Sequence, residues 1–523
     1  MQTVREVTFD MLRRYGMTTM FANPGSTEIS LLCGLPDDIA FVLALHEGSV
    51  VGMATGLALA SGRPALAVLH TTAGLGNAVG ALATARVNRA PLVVVVGQQD
   101  RRHLALEPFL AGRLSGLAGD YPVWTGQPAL PQEVPGAIAR AWHEALTGRG
   151  PALVVVPTDD WTAQMPADHV IAAPRALVRG IPMPEISTLT ALVAAAGSPA
   201  LVVGSGADDA RTWGALVALA ERLGCPVWQE SFGARAGFPQ DHPQYAGVLP
   251  PGRGQQREAL SGHDLVLVVG APAFRHYQYE PGGLLPEGAR LAVVTDDPAE
   301  AHRSPADLVL LGSPAAVCEQ LSAATPPRDT DRFQRPGPAQ LPEGDGLTAA
   351  HVLSALAVRL PPETVVVEEC PSSRPDLHRL LLARRPMGFV SAAMGGLGFA
   401  LPAAVGLRMA DPDRPVVAVV GDGSAIYGIQ ALWSAAHYHV GALFVVLANG
   451  RYAVMDGLAE AHGRGKAPWP GFAEVSMSGL ARSFGCPALR IDGRDELLAV
   501  LDEVVPGLAG RTEPLLLDVS VTP

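Results

Sequence analysis

The stretch Pro415-Val416-Val417-Ala418-Val419-Val420-Gly421-Asp422-Gly423-Ser424 decides how this chain is read. An apolar run of strand length that enters a Gly-rich turn and then a helical-length segment is a strand covered on both faces. Glycines at that junction let backbone N–H groups approach a phosphate at the positive end of the next helix. Asp422 in the same turn would repel bare phosphate. The conflict resolves when a divalent cation stands between the carboxylate and a diphosphate, because Mg²⁺ takes oxygen ligands and commonly keeps phosphate oxygens among them. A second protein ligand follows one strand later: Leu443–Leu447 ends in Ala448-Asn449-Gly450-Arg451, and adjacent parallel strands end on one rim.

Working outward, similar runs recur at Ala65–Leu69, Leu92–Val96, Leu153–Val156, Leu201–Val203, Leu265–Val269, Leu291–Val294 and Leu515–Val519, separated by Ala- and Leu-rich segments of helical length. The pattern predicts an α/β protein whose parallel sheets are flanked by helices. At roughly 150 residues per domain, 523 residues allow three to four domains. Pro, Gly and charge without apolar periodicity mark linkers at 163–185 and 324–346, leaving domains at 1–162, 186–323 and 347–523. The first and third share a strand–turn–helix rhythm. A net charge of −12 excludes bulk nucleic-acid binding, which needs a cationic face, but leaves a local anion site open. Five scattered cysteines without a CxxC suggest neither a disulfide framework nor a zinc site and fit a reducing cytosol. The start, Met1 to Gly16, reads as a helix with Val4, Val7, Met11 and Tyr15 on one face and Gly16 as its stop. Pro64 to Ala85 is uncharged and long enough to raise a membrane span, but His70, Thr71, Thr72 and Asn77 interrupt it. A strand, a polar loop and a helix are expected there.

The first domain carries a complementary polar set. Phe41–Leu45 runs into His46-Glu47-Gly48 and an apolar helix, Ser49 to Ala60, so Glu47 stands at a helix start beside apolar surface. Such a carboxylate is favoured by the helix dipole alone, or is held to exchange a proton with a ligand nitrogen. Asn23-Pro24-Gly25-Ser26-Thr27 and His70-Thr71-Thr72-Ala73-Gly74 close two more strands on the same predicted rim. The other Gly-rich turn, Gly204-Ser205-Gly206-Ala207-Asp208-Asp209, has Asp209 where a dinucleotide fingerprint needs its third glycine, and is read as a plain βα turn.

The order NPGST, LHEGSVVGMATG, LHTTAGLGNAVGAL, GQQ, GAPAFRHYQYEPG, AAMGGLGFALPAAVG, GDGSAIYGIQALW and ANGRY resembles thiamine-diphosphate-dependent decarboxylases of the benzoylformate decarboxylase branch across nearly the whole chain. The resemblance implies a lyase that decarboxylates a 2-oxo acid non-oxidatively to an aldehyde, with thiamine diphosphate and Mg²⁺ or Ca²⁺. It implies that Glu47 exchanges a proton with the aminopyrimidine, and that Ser26 and His70 hold the substrate carboxylate and assist proton transfer. By the same resemblance the Gly395 carbonyl is expected to receive the aminopyrimidine and Leu397 to wedge the cofactor into a bent form. The resemblance further implies that Asp422, Asn449 and the Arg451 carbonyl bind the metal and that Gly423 and Ser424 grip the diphosphate, with Tyr452 beside them. Phe109, Leu110, Met455 and Leu458 match pocket residues. The resemblance also implies a homodimer or homotetramer with active sites at the dimer interface; cysteine usage, charge and the interrupted apolar run add the expectation of a cytoplasmic chain with neither a nucleic-acid nor a membrane partner.

Several positions depart from the branch. Its second catalytic histidine, which protonates the enamine before aldehyde release, falls at Tyr277, with His276 one place earlier. Side-chain direction reverses with each residue of an extended segment, so His276 can substitute only with a shifted loop; Tyr277 is the other candidate donor, a slower acid than histidine at neutral pH. Slow protonation at this step would favour carbon–carbon bond formation, which keeps a carboligase or lyase as the alternative. An acetolactate-synthase-like enzyme is a further alternative, set against a short middle domain without a flavin fingerprint. A silent relative serving as a binding or assembly subunit is opposed by the intact Glu47 and metal pair. Arg451 replaces a small polar residue, Ala448 a frequent asparagine and Pro371 a threonine, so the pocket is altered.

Overall fold

The computed structural model describes residues 1–522 apart from 173, 175–179, 182, 329–332, 334, 336, 338–340, 345 and 464–467. Parts of both predicted linkers thus lie outside the described residues. The chain falls into two compact units, Met1–Val178, Val367–Ser372 and Ala392–Pro523 in one, Arg179–Val366 and Ser373–Ser391 in the other.

Apolar runs bounded by turn residues become three six-stranded parallel sheets. The first contains β1 (Thr19–Asn23), β2 (Ala40–Leu43), β3 (Ala65–Leu69), β4 (Leu92–Gln98), β5 (Trp124–Gly126) and β6 (Pro151–Pro157), in the order β2-β1-β3-β4-β6-β5. The second contains β7 (Pro199–Val203), β8 (Val227–Gln229), β9 (Tyr245–Val248), β10 (Leu265–Val269), β11 (Arg290–Thr295) and β12 (Leu308–Leu311), ordered β12-β11-β10-β7-β8-β9. The third contains β13 (Val365–Glu369), β14 (Phe389–Ser391), β15 (Val416–Gly421), β16 (Leu443–Ala448), β17 (Ala488–Ile491) and β18 (Leu515–Ser520), ordered β14-β13-β15-β16-β18-β17. The first and third orders are identical, the structural form of the shared rhythm.

The second sheet shows why its strands read as continuous apolar runs. Leu201, Val203, Leu265, Leu267 and Val269 enter one core, while the alternating Ala200, Val202, Val266 and Val268 enter a second core on the opposite face. Both faces are covered, so polar alternation is absent. Segment 324–346 is anchored where it is described: the Arg328 guanidinium donates to the carbonyls of Val193 and Ala196, and that of Arg335 to Gln240.

In the first unit the helix Glu47–Ser61 is apolar or small all round and is buried over most of its length, with Gly62 at φ +65° closing it. It packs on the helix Ala400–Ala410 with backbones in near contact. A Cβ on Gly56 would stand 2.2 Å from the Ala403 carbonyl oxygen, and one on Gly406 would stand 1.9 Å from that of Met53. A second tie fixes β2: the Leu43 N–H donates to the Tyr438 hydroxyl at 2.8 Å, and the Ser434 hydroxyl donates to the Leu43 carbonyl at 2.8 Å. The residues leading into Glu47 are therefore held by the C-terminal part of the same unit.

The first helix, Val4–Arg14, forms as expected, with Gly16 at φ +70° just beyond it. The polar loop expected after Leu69 does not. The chain passes through His70 directly into the helix Thr71–Val87, so Thr72 and Asn77 are helical. From within that helix Asn77 donates to Glu47 at 3.0 Å. Among the described residues no helix is long and apolar enough to cross a membrane.

Candidate active site

Glu47 is the first residue of its helix and is 7% exposed. Its two oxygens accept from two amides, Asn23 Nδ2 at 3.1 Å and Asn77 Nδ2 at 3.0 Å. Asn23 ends β1 and Asn77 lies in the helix that follows His70, so the carboxylate is fixed from two elements. Sequence reasoning passed over Asn77; its place seven residues after His70, two helical turns on, is the signal that could have found it. His70 stands on the same rim: a Cβ built on Gly74 would lie 3.5 Å from Glu47 Cγ and 3.4 Å from His70 Cβ. Ser26 opens the turn Ser26–Glu28 and is exposed. Ser26, Glu47 and His70 thus gather at the ends of the first sheet's strands, as predicted.

The third sheet builds the second cluster. Asp422 is 5% exposed and starts a short helix straight after β15. Its oxygens accept from the N–H groups of Gly423 at 2.8 Å and Gly450 at 2.6 Å. Burial raises its pKa despite these bonds, so the charged form is costly unless a cation joins it. Asn449 follows β16, and its Oδ1 accepts from the Arg451 N–H at 3.1 Å. Gly423 is required by space: a Cβ there would stand 2.6 Å from the Tyr452 ring, which packs on Phe472 with centroids 5.0 Å apart. Ser424 is buried beside it.

Gly395 adopts φ +75°, and Leu397 just after it is 38% exposed. What holds this segment is Glu369, absent from the sequence reading. Its carboxylate accepts from the N–H groups of Gly398 at 2.6 Å, Phe399 at 2.8 Å and Ala400 at 2.6 Å, capping the helix Ala400–Ala410. Burial pushes its pKa up to about 7. Met455 and Leu458 lie on the helix Ala453–Ala461, and the exposed Arg451 side chain reaches Asp456 at 3.5 Å.

Phe109 is 87% exposed, and Leu110 beside it has φ +66°. The GQQ motif holds this loop: the Gln98 side chain both donates to and accepts from the Gly112 backbone, and Gln99 donates to the Phe109 carbonyl. His276 and Tyr277 lie in the second unit. His276 is turned inward, its Nε2 at 3.1 Å from Gln256 Oε1, with its pKa lowered by burial, whereas Tyr277 is 63% exposed. In the turn after β7, Asp209 caps the next helix by accepting from the Thr212 N–H at 3.0 Å, which accounts for the residue that breaks the dinucleotide fingerprint.

Comparison with known proteins decides the family. Residues 2–116 match "Thiamine pyrophosphate enzyme, N-terminal TPP binding domain", 186–321 its central domain and 372–519 its C-terminal TPP binding domain. The chain belongs to the thiamine pyrophosphate enzymes. Within that family it is similar to a benzoylformate decarboxylase of Pseudomonas aeruginosa, 39% identical over 99% of both chains. Among solved structures it is similar to a 4-hydroxybenzoylformate decarboxylase of Rhodococcus jostii RHA1 (TM-score 0.93, 36% identity, 99% of both chains). A benzoylformate decarboxylase of Polynucleobacter necessarius gives a TM-score of 0.95 at 33% identity, over 100% of this chain and 99% of that one. The residues present fit the family's cofactor. Asp422, Asn449 and the Arg451 carbonyl are an all-oxygen set suited to a hard divalent cation, and the buried carboxylate lacks any cation of the chain's own among its described contacts.

Proposed function

We propose that this thiamine pyrophosphate enzyme decarboxylates a 2-oxo acid with an aromatic or other hydrophobic side chain to the aldehyde and carbon dioxide. The observation that carries the reading is Glu47, buried at a helix start between two amide donors, with His70 beside it on the rim. When bound, thiamine diphosphate supplies an electron sink for the pair released as the carboxylate leaves. The chain's own residues do the rest. Glu47 holds a proton for exchange with a ring nitrogen. Ser26 and His70 receive the substrate carboxylate and move protons around it. Asp422, Asn449 and the Arg451 carbonyl hold Mg²⁺, or Ca²⁺ in its place, while Gly423 and Ser424 grip the diphosphate. Gly395 and Leu397 seat the cofactor ring, and Phe109, Leu110, Met455 and Leu458 line the apolar side of the pocket.

A homodimer or homotetramer completes this reading. Leu397, Tyr452, Met455 and Phe109 leave apolar surface open in a single chain, which supports a second copy covering them. Cysteine usage supports a cytosolic setting. One observation favours carboligation as a second activity: His276 is engaged by Gln256, leaving the slower acid Tyr277 to the exterior. The test is carbon dioxide release by purified protein with thiamine diphosphate and Mg²⁺ on a panel of aryl and alkyl 2-oxo acids, with products analysed in the presence of a second aldehyde. Turnover of aryl substrates is expected; no carbon dioxide from any member of the panel would refute the reading.

A further inference from the structure

The turn that carries Ser26 ends in a carboxylate to which no role has been given. Glu28 is 2% exposed, and burying a carboxylate is expensive unless its oxygens are met. Oε2 accepts from the Gly25 N–H at 2.7 Å and lies 3.0 Å from His70 Nδ1; Oε1 accepts from the Thr27 hydroxyl. Thr27 Oγ1 is itself 3.0 Å from His70 Nδ1. All the described hydrogen bonds of the His70 ring therefore fall on one nitrogen.

The packing around this pair is built for it. A Cβ on Gly97, at the end of β4, would stand 1.7 Å from Glu28 Oε1, and one on Gly25 would stand 2.4 Å from His70 Nδ1. Neither position can carry a side chain while Glu28 and His70 keep their places. The contact thus draws on three segments, the turn after β1, the residue after β3 and the end of β4.

From this geometry we infer that Glu28 is a positioning residue for His70: it fixes the ring with the proton on Nδ1 and leaves Nε2 as the nitrogen that serves the reaction. The thermodynamic logic is tautomer selection. The Thr27 proton is committed to Glu28 Oε1, so Thr27 Oγ1 and Glu28 Oε2 both face Nδ1 as acceptors and are met only by an Nδ1–H. A ring protonated on Nε2 alone would place two acceptors face to face. The inference rests on His70 acting in the proposed decarboxylation.

The experiment compares Glu28→Met, Glu28→Gln, His70→Ala and the double variant Glu28→Met/His70→Ala as cofactor-loaded enzymes, by kcat for carbon dioxide release. Glu28→Met is expected to lose at least about tenfold in kcat. Glu28→Gln is expected to lose less, because an amide oxygen in the Oε2 place still accepts from Nδ1 and from Gly25. The double variant is expected to match His70→Ala within about twofold, since one residue acts through the other. A Glu28→Met enzyme within twofold of wild type beside an inactive His70→Ala would overturn the positioning role and leave the site reading intact. His70→Ala at wild-type activity would overturn the site reading itself. Losses that multiply in the double variant would reduce Glu28 to a structural carboxylate. If Glu28→Met does not fold, ¹⁵N spectra of histidine-labelled wild type, with His70 assigned by its loss in His70→Ala, decide the matter: a protonated Nδ1 supports the inference and a protonated Nε2 overturns it.

Discussion

The first and third sheets have the same strand order, yet the residues at equivalent strand ends do different work. After β1 and β3 come Ser26 and His70; at the end of β13 and after β15 come Glu369 and Asp422. At the end of β4 come the loop-holding glutamines, Gln98 as its last residue and Gln99 next, and after β16 comes Asn449. In the proposed function the first rim handles protons, its side chains braced by amides and carboxylates. The third presents backbone N–H groups and side-chain oxygens around a short glycine turn. Topology sets where a rim can bind, and the residues set what it binds. The second sheet has another order, and the charges beyond its strands pair among themselves, Glu230 with Arg275 at 3.2 Å and Asp208 with Arg235 at 3.4 Å.

If the third rim is the anion and metal grip, the largest effect falls on Asp422. Asp422→Ala should abolish retention of thiamine diphosphate and Mg²⁺ through dialysis and lower carbon dioxide release on the order of 10³-fold. Cofactor affinity equal to wild type would erase the distinction between the rims. Next come the helices that join them. Gly406→Ala forces a Cβ against the Met53 carbonyl, and overpacking of this kind costs ~1–3 kcal/mol, read as a lower urea midpoint. An unchanged midpoint would mean the helices separate easily.

Glu369 sharpens the comparison through pH. Its folded-state pKa of about 7 stands above the ordinary 4.5, so between those values the native chain keeps a proton that the unfolded chain has released. The carboxyl's contribution to stability therefore falls as pH rises through that window and levels off above it. The thermal midpoint of wild type minus that of Glu369→Gln should follow that course; a flat difference would contradict it. The smallest effect belongs to Arg451. Only its carbonyl is assigned to the metal, and the exposed pair with Asp456 contributes ~0–1 kcal/mol, so Arg451→Ala should stay within about fivefold of wild-type activity.

Much of this was legible in the sequence because buried parallel strands write themselves as apolar runs and the turn Gly421–Ser424 joins its strand without a break. Leu265–Val269 is β10 residue for residue, and Asp422 and Asn449 follow adjacent parallel strands as the sequence pattern requires. Short strands such as β5, β8 and β14 carry three residues each, too few to show a period. The supporting carboxylates and amides were hidden for a different reason. Asn77 meets Glu47 across 30 positions, Glu28 meets His70 across 42, and Glu369 meets Gly398 across 29. Such pairs become visible only when the fold closes. The order His276-Tyr277 likewise left open which side chain turns inward, which depends on the backbone around Gln256.

If the first rim handles protons while the third holds the cofactor, Glu47→Gln separates the two duties in one enzyme. Cofactor retention and carbon dioxide release from an aryl 2-oxo acid are measured on the same preparation. The account predicts thiamine diphosphate bound within a few-fold of wild type and release lower by about 10²–10⁴-fold. Unchanged turnover with the cofactor in place would contradict it.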